Sequence, residues 1–191
     1  MSSYATIADV GNTIVEVLKD SLVPSVVQNG SFIGLCSPND TGNYIVGVYL
    51  YNIEQNQNMR MNSYISAGVD IQVRPPIFLN LYYMITAYSK SDVKFKSYEN
   101  HIILGKVIQT LNDCACMEDK NGNTLNVDMI NLSDHEKRNL ISSFDKNNNA
   151  NLSIFYRVSP VEIPSNNVRR VVKISDVDVS VGEYGSSNGL I

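Results

Sequence analysis

The chain has 191 residues, 43% of them hydrophobic and 18% charged, with a formal net charge of −4. That length supports one well-buried core and argues against two full domains. An acidic balance argues against a binder of phosphate backbones, because such proteins cluster Lys and Arg, and the one dense basic spot here is Arg169, Arg170 and Lys173. No apolar run approaches the roughly 20 residues that span a bilayer, so neither nucleic acid nor membrane is an expected partner.

The opening segment lacks a basic region followed by an apolar one, which predicts folding in a cytoplasm. Cys36, Cys114 and Cys116 are an odd set with two only two residues apart, a poor disulfide framework, and free thiols are expected.

From Thr6, a candidate cap, the apolar positions Ile7, Val10, Ile14, Val17, Leu18 and Leu22 recur every three or four residues and predict an amphipathic helix that ends before Pro24. "SFIGLCSP" at 31–38 predicts a short strand, and "YIVGVYLYNI" at 44–53 a strand apolar on both faces, hence central. Residues 54–74 are polar with weak periodicity, and long connections of this kind are commonly functional or disordered. Pro75 and Pro76 open a strand over 77–88, with Ile77, Leu79, Leu81, Tyr83 and Ile85 on one side and Phe78, Tyr82, Met84 and Tyr88 on the other. Both of its faces require cover.

"YENHIILGKVIQTLNDC" predicts a second helix through Ile102, Ile103, Val107, Ile108 and Leu111, and the two helices form a packing layer on a sheet. "DKNGNT" at 119–124 is a turn and "NTLNVDMINL" a short strand. Ser133 with Glu136 forms a capping box for a short helix. Strands over 151–163 and 168–181, separated by "PSNN", are expected to pair as a hairpin. The order predicts a single α+β domain over 1–182, a mainly antiparallel mixed sheet with helices on one face, followed by a flexible or neighbour-docking tail at 183–191.

Asp145, Asn147, Asn149 and Leu152 fit positions of a calcium loop, but Ala150 replaces the glycine of the sharp turn and Tyr156 the bidentate glutamate, so an Asn-rich loop is the better reading. Cys114, Cys116, His101 and His135 lack zinc-knuckle spacing. Asp176 and Asp178 read as a solvated strand face. No nucleophile elbow or phosphate loop is present, and no catalytic residue, cofactor or metal is expected.

The blocks "YATIADVGNTIVEVLKDSL", "IGLCSPND", "VGVYLYNIEQNQNMRMN", "RPPIFLNLYYMITAYS", "ENHIILGKVIQTLND" and "LSIFYRVSPVEI" follow one another in an order that resembles the tube terminators, or cap proteins, of phage-tail-like contractile injection systems of the antifeeding-prophage and virulence-cassette kind. The resemblance covers nearly the whole chain, and the segment after Gly182 departs from it. It implies a tail-terminator-like fold and a structural, non-enzymatic protein: a homohexameric ring closing the distal end of the inner tube, with the tube protein and the contractile sheath protein as partners. In a ring, one face of the two-sided strand is covered by the chain's own helices and the other by a neighbour or the following hairpin; helices covering both faces within one chain are the alternative. Loops on a rigid scaffold commonly carry binding, which selects 54–74, with Asn58, Arg60 and Asn62 as tube-facing candidates, ahead of the turns at 37–43 and 119–124. The rival readings are a terminator or head–tail connector of a contractile phage tail and, more distantly, a small metal-dependent enzyme.

Overall fold

The computed structural model describes residues 6–39, 42–144 and 151–171. Helix α1, Thr6–Leu22, turns Val10, Ile14, Val15, Leu18 and Leu22 inward, and Asp9 in its first turn and Lys19 in its last suit the helix dipole. Proline at position 24 cannot continue the ladder. Strand β1, Ile33–Leu35, follows a 3-10 turn whose first N–H groups are capped by Asn29. It lies parallel to β2, Val46–Gln55. Strands β5, Ile77–Ala87, and β8, Ser153–Ile163, form the long antiparallel centre, and the sheet is completed by β7, Thr124–Ile130, and β6, Cys116–Glu118, in the order β1-β2-β5-β8-β7-β6.

Helix α2, Val93–Asp113, packs on β5 and β7 and against α1, which in turn meets β1, β2 and β8. The main core lies between these helices and one sheet face, where Leu81, Tyr83 and Ile85 of β5 meet Val10, Leu18, Val107 and Leu111. Burying such side chains contributes about 1.5–3 kcal/mol each. Inside this layer the Ser21 and Thr110 hydroxyls bond at 2.7 Å, so this polar bridge between the helices is satisfied. At the far end of β5, Asn100 of α2 accepts the Ser89 backbone N–H at 2.8 Å, which fixes the helix to the strand.

The opposite sheet face is aromatic. Met84 and Phe155 are buried outside the main core, Tyr51 stacks edge-on against Phe155 at 5.8 Å, and Phe144, the last residue of helix α3, Asp134–Phe144, meets Tyr49 edge-on at 5.1 Å. Both faces of β5 therefore receive cover from this chain: the long helices lie on one, and an aromatic layer touched by the short helix lies on the other. Ser133 and Glu136 make the expected capping box, with the Ser133 N–H donating to Oε2 at 2.8 Å and the Glu136 N–H to Oγ at 3.3 Å. The 119–124 turn is also as expected, because the Asp119 carboxylate accepts the N–H groups of Asn121 and Asn123 at 2.8 Å each and Gly122 takes φ +83°.

Two expectations are corrected. The expected hairpin between 151–163 and 168–181 is not formed by the described part of its second strand: Val168–Arg170 pairs with residues 71–73, while β8 is hydrogen-bonded to β5 along its length and to β7 over 155–159. Strand β9, Val168–Arg170, instead joins β3, Ile65–Ser66, and β4, Ile71–Val73, in a second sheet of order β3-β4-β9. Residues 54–74 are thus not a plain connection: they finish β2, make a 3-10 turn at Gln57–Met59 and build two strands of that second sheet. The calcium-pattern residues Asp145, Asn147 and Asn149, the pair Asp176 and Asp178, and the 182/183 boundary lie outside the described residues.

Candidate assembly surface

The second sheet continues from the end of β2 and the start of β5, away from the two long helices, as an arm of 57–74 closed by 165–171. At its root Asn56 accepts the Asn58 N–H at 3.1 Å and caps the 3-10 turn, and Arg60 takes the extended conformation that leads out of it. Asn58, Arg60 and Asn62 are all exposed on this short stretch, interleaved with exposed Met59 and Met61.

Beyond the root the strands have two unlike faces. Ile65 is paired with Val73, Val73 with Val168 and Ile71 with Arg170, and Ile71 lies two residues from Val73, so four apolar side chains share one face with Arg170 at its edge. Ile65, Ile71 and Val168 remain 47%, 42% and 57% exposed. On the other face Gln72 is paired with Arg169, whose Nε and Nη2 donate to the Gln72 Oε1 at 3.1 and 2.8 Å while the guanidinium lies 3.7 Å from the Tyr64 ring centroid. Backbone bonds close both ends, Arg74 N–H to Asn167 oxygen and Val171 N–H to Asp70 oxygen, each at 2.9 Å. The polar face is locked, and the largely apolar face, with Arg170 beside Ile71, is left open.

The arm is also cationic. It carries Arg60, Arg74, Arg169 and Arg170 against Asp70, in a chain whose formal charge is −4. The 54–74 candidates are therefore joined by residues that the sequence reading did not single out for binding: Tyr64, Ile65, Ile71, Val168, Arg169 and Arg170. Residues 168–170 were expected in a strand but with another partner, and "IQV" at 71–73 is too short to register as a strand.

A second feature lies at the other end of the sheet. A groove of about 510 Å³ runs between the first turns of α1, at Ile7, Ala8 and Gly11, and the edge strand β1, at Leu35, with Val48, Leu50 and Tyr83 as its floor. Its lining is mostly apolar. Tyr83 is 1% exposed and its hydroxyl has no partner among the described residues. Burial pushes the Tyr83 phenol far up, so it stays an uncharged donor.

Other polar side chains on the sheet pair with one another. The Tyr82 hydroxyl donates to Glu54 at 2.8 Å and Arg157 Nη2 to Asp128 at 2.8 Å. Cys36, Cys114 and Cys116 form no disulfide. Among the described residues no three His, Cys, Asp or Glu side chains converge, and no helix is long and apolar enough to cross a membrane.

No curated protein matches the sequence significantly. Among solved structures, the cryo-EM structure of the PVC sheath/tube terminator of an extracellular contractile injection system, in its extended state, is similar over 95% of this chain with TM-score 0.66 and 18% identity. The anti-feeding prophage cap, described as a tube terminating cap, is similar over 94% with TM-score 0.69 and 19% identity. The chain spans 65% and 63% of those two proteins, just under two thirds of their length. At such identities the likeness is one of fold: a curled, mainly antiparallel sheet with three helices. The sequence profile of the Pvc16 N-terminal domain matches residues 9–175, nearly the whole chain, and the protein therefore belongs to the Pvc16 N-terminal domain family.

Proposed function

We propose that this chain is a structural cap of a contractile injection system, six copies of which form a ring on the distal end of the inner tube, stop its growth and meet the last layer of sheath. The observation that carries this reading is the family match over 9–175 together with a fold shared, across nearly all of this chain, with a sheath/tube terminator and a tube-terminating cap. Its role is mechanical and non-enzymatic, and it assembles in the bacterial cytoplasm before the particle is released.

Ending a polymer requires one surface complementary to the growing end and another that offers no further site. The arm suits the first requirement. It displays Asn58, Arg60 and Asn62 at its root, exposed and held by a capped turn on a strand end instead of a free loop.

The test is electron microscopy of particles from a strain lacking this gene, scored for tube length and sheath state against the parent. Tubes of uncontrolled length, or absent assembled sheath, are the expected result. Particles indistinguishable from the parent overturn the reading.

A further inference from the structure

We infer that copies of this chain join by an arm-to-groove contact, in which the apolar face of the β3-β4-β9 arm of one copy seats in the α1–β1 groove of the next. The proposal rests on the ring reading and names its contact. An apolar protrusion and an apolar groove at separate places on one molecule make a heterologous interface, which repeats head to tail and closes when the rotation between copies allows it. The arm follows the C-terminal end of β2, whereas the groove lies against its N-terminal half at Val48 and Leu50, so the two surfaces face different neighbours.

Three features favour a second copy as the occupant. The arm leaves Ile65, Ile71 and Val168, with Arg170 beside Ile71, open on one side while its other side is fastened by Arg169, Gln72 and Tyr64, an arrangement that holds a largely apolar face ready without giving it an intrachain partner among the described residues. The groove offers apolar walls, with Leu35 41% exposed on its rim, and at its floor the Tyr83 hydroxyl, within 3.6 Å of where a side chain on Gly11 would begin, stands without an acceptor. A carbonyl of a seated strand would supply one. Finally, four arginines against one aspartate make the arm cationic in a chain of net charge −4, so the body of another copy is more acidic than the chain as a whole and attracts it.

The test uses the full 191-residue chain, with mass measured by light scattering after size exclusion. Ile71→Glu and Val168→Glu place a carboxylate on the open face of the arm; Leu35→Glu blocks the rim of the groove, and Ala8→Arg, on an exposed helix position, adds like charge opposite the arm. Each is expected to lose every species above the monomer while keeping the far-UV spectrum of the parent. An equal mixture of Ile71→Glu and Ala8→Arg is expected to give a one-to-one dimer, because one intact arm and one intact groove remain between them. A monomeric mixture overturns the arm-to-groove pairing. A ring that survives all four substitutions overturns the contact and leaves the ring reading standing; a parent chain that stays monomeric at every concentration overturns both.

Discussion

Tyr51 and Tyr83 lie on opposite faces of the sheet, and each has a buried hydroxyl without a partner among the described residues. Burial first, then the neighbouring Tyr82, Glu136 and Glu54, push the Tyr51 phenol from 10.0 up to about 12. The folded chain thus keeps this proton after the unfolded chain has begun to lose it. The stability it contributes is complete below pH 10 and is lost as pH rises through about 12. Tyr51→Phe should therefore flatten the alkaline decline in urea-unfolding stability across that window and cost little at neutral pH, where an unpaired hydroxyl is removed. An unchanged slope would show that the phenol is not shifted. Asp119 acts in the opposite sense: burial works against its charge, but the bonds from Asn123 and Asn121 outweigh it and hold the carboxyl below its ordinary value, so the hairpin turn weakens only in acid as that carboxylate is protonated.

Among the elements, α1 and α2 differ in how much of each is pressed on the sheet. Leu18 of α1 is wholly buried between α2 and the strands, whereas the first turns of α2 leave Val93, Phe95 and Tyr98 exposed and are fastened through Asn100 and through Glu99, which accepts the Ser89 hydroxyl at 2.6 Å. Leu18→Ala should lower unfolding stability by about 2–5 kcal/mol, since the space cannot be refilled. Phe95→Ala should change it by less than about 0.5 kcal/mol. Denaturant midpoints for the pair check the assignment of the core, and equal losses would refute it. The second helix starts at Val93, earlier than its apolar period indicates, because those turns have no sheet beneath them to impose a pattern.

At the scale of the whole molecule, the arm and the groove are two surfaces that the described residues do not fill. Arg60, at the root of the arm, is fully displayed, and reversing its charge should weaken attachment to tube without disturbing the fold. Arg60→Glu is expected to reduce co-purification with the tube protein, and more so in low salt, where screening is least. Undiminished recovery would move the tube-facing surface elsewhere. The same variant should weaken association between copies less than Ile71→Glu does, because it lowers the charge of the arm but leaves the open face at Ile65, Ile71 and Val168 unaltered.

Much of this protein is readable along the chain. The stripe from Val10 to Leu22, the two-sided strand 77–87, the Ser133 and Glu136 box and the Asp119 turn are local patterns whose causes lie within a few residues, so the sequence by itself determined those elements and the α+β class. The second sheet was not readable in that way. Its strands are two or three residues long, and the register of Val73 with Val168 joins positions far apart in the chain. Which strand takes 168–170 depended on residues 71–73 being carried beside it, a placement that no local pattern along the chain states. The open face of the arm follows from that pairing and the groove from the packing of α1 beside β1, and so only the tertiary structure decided which surfaces the described residues leave uncovered.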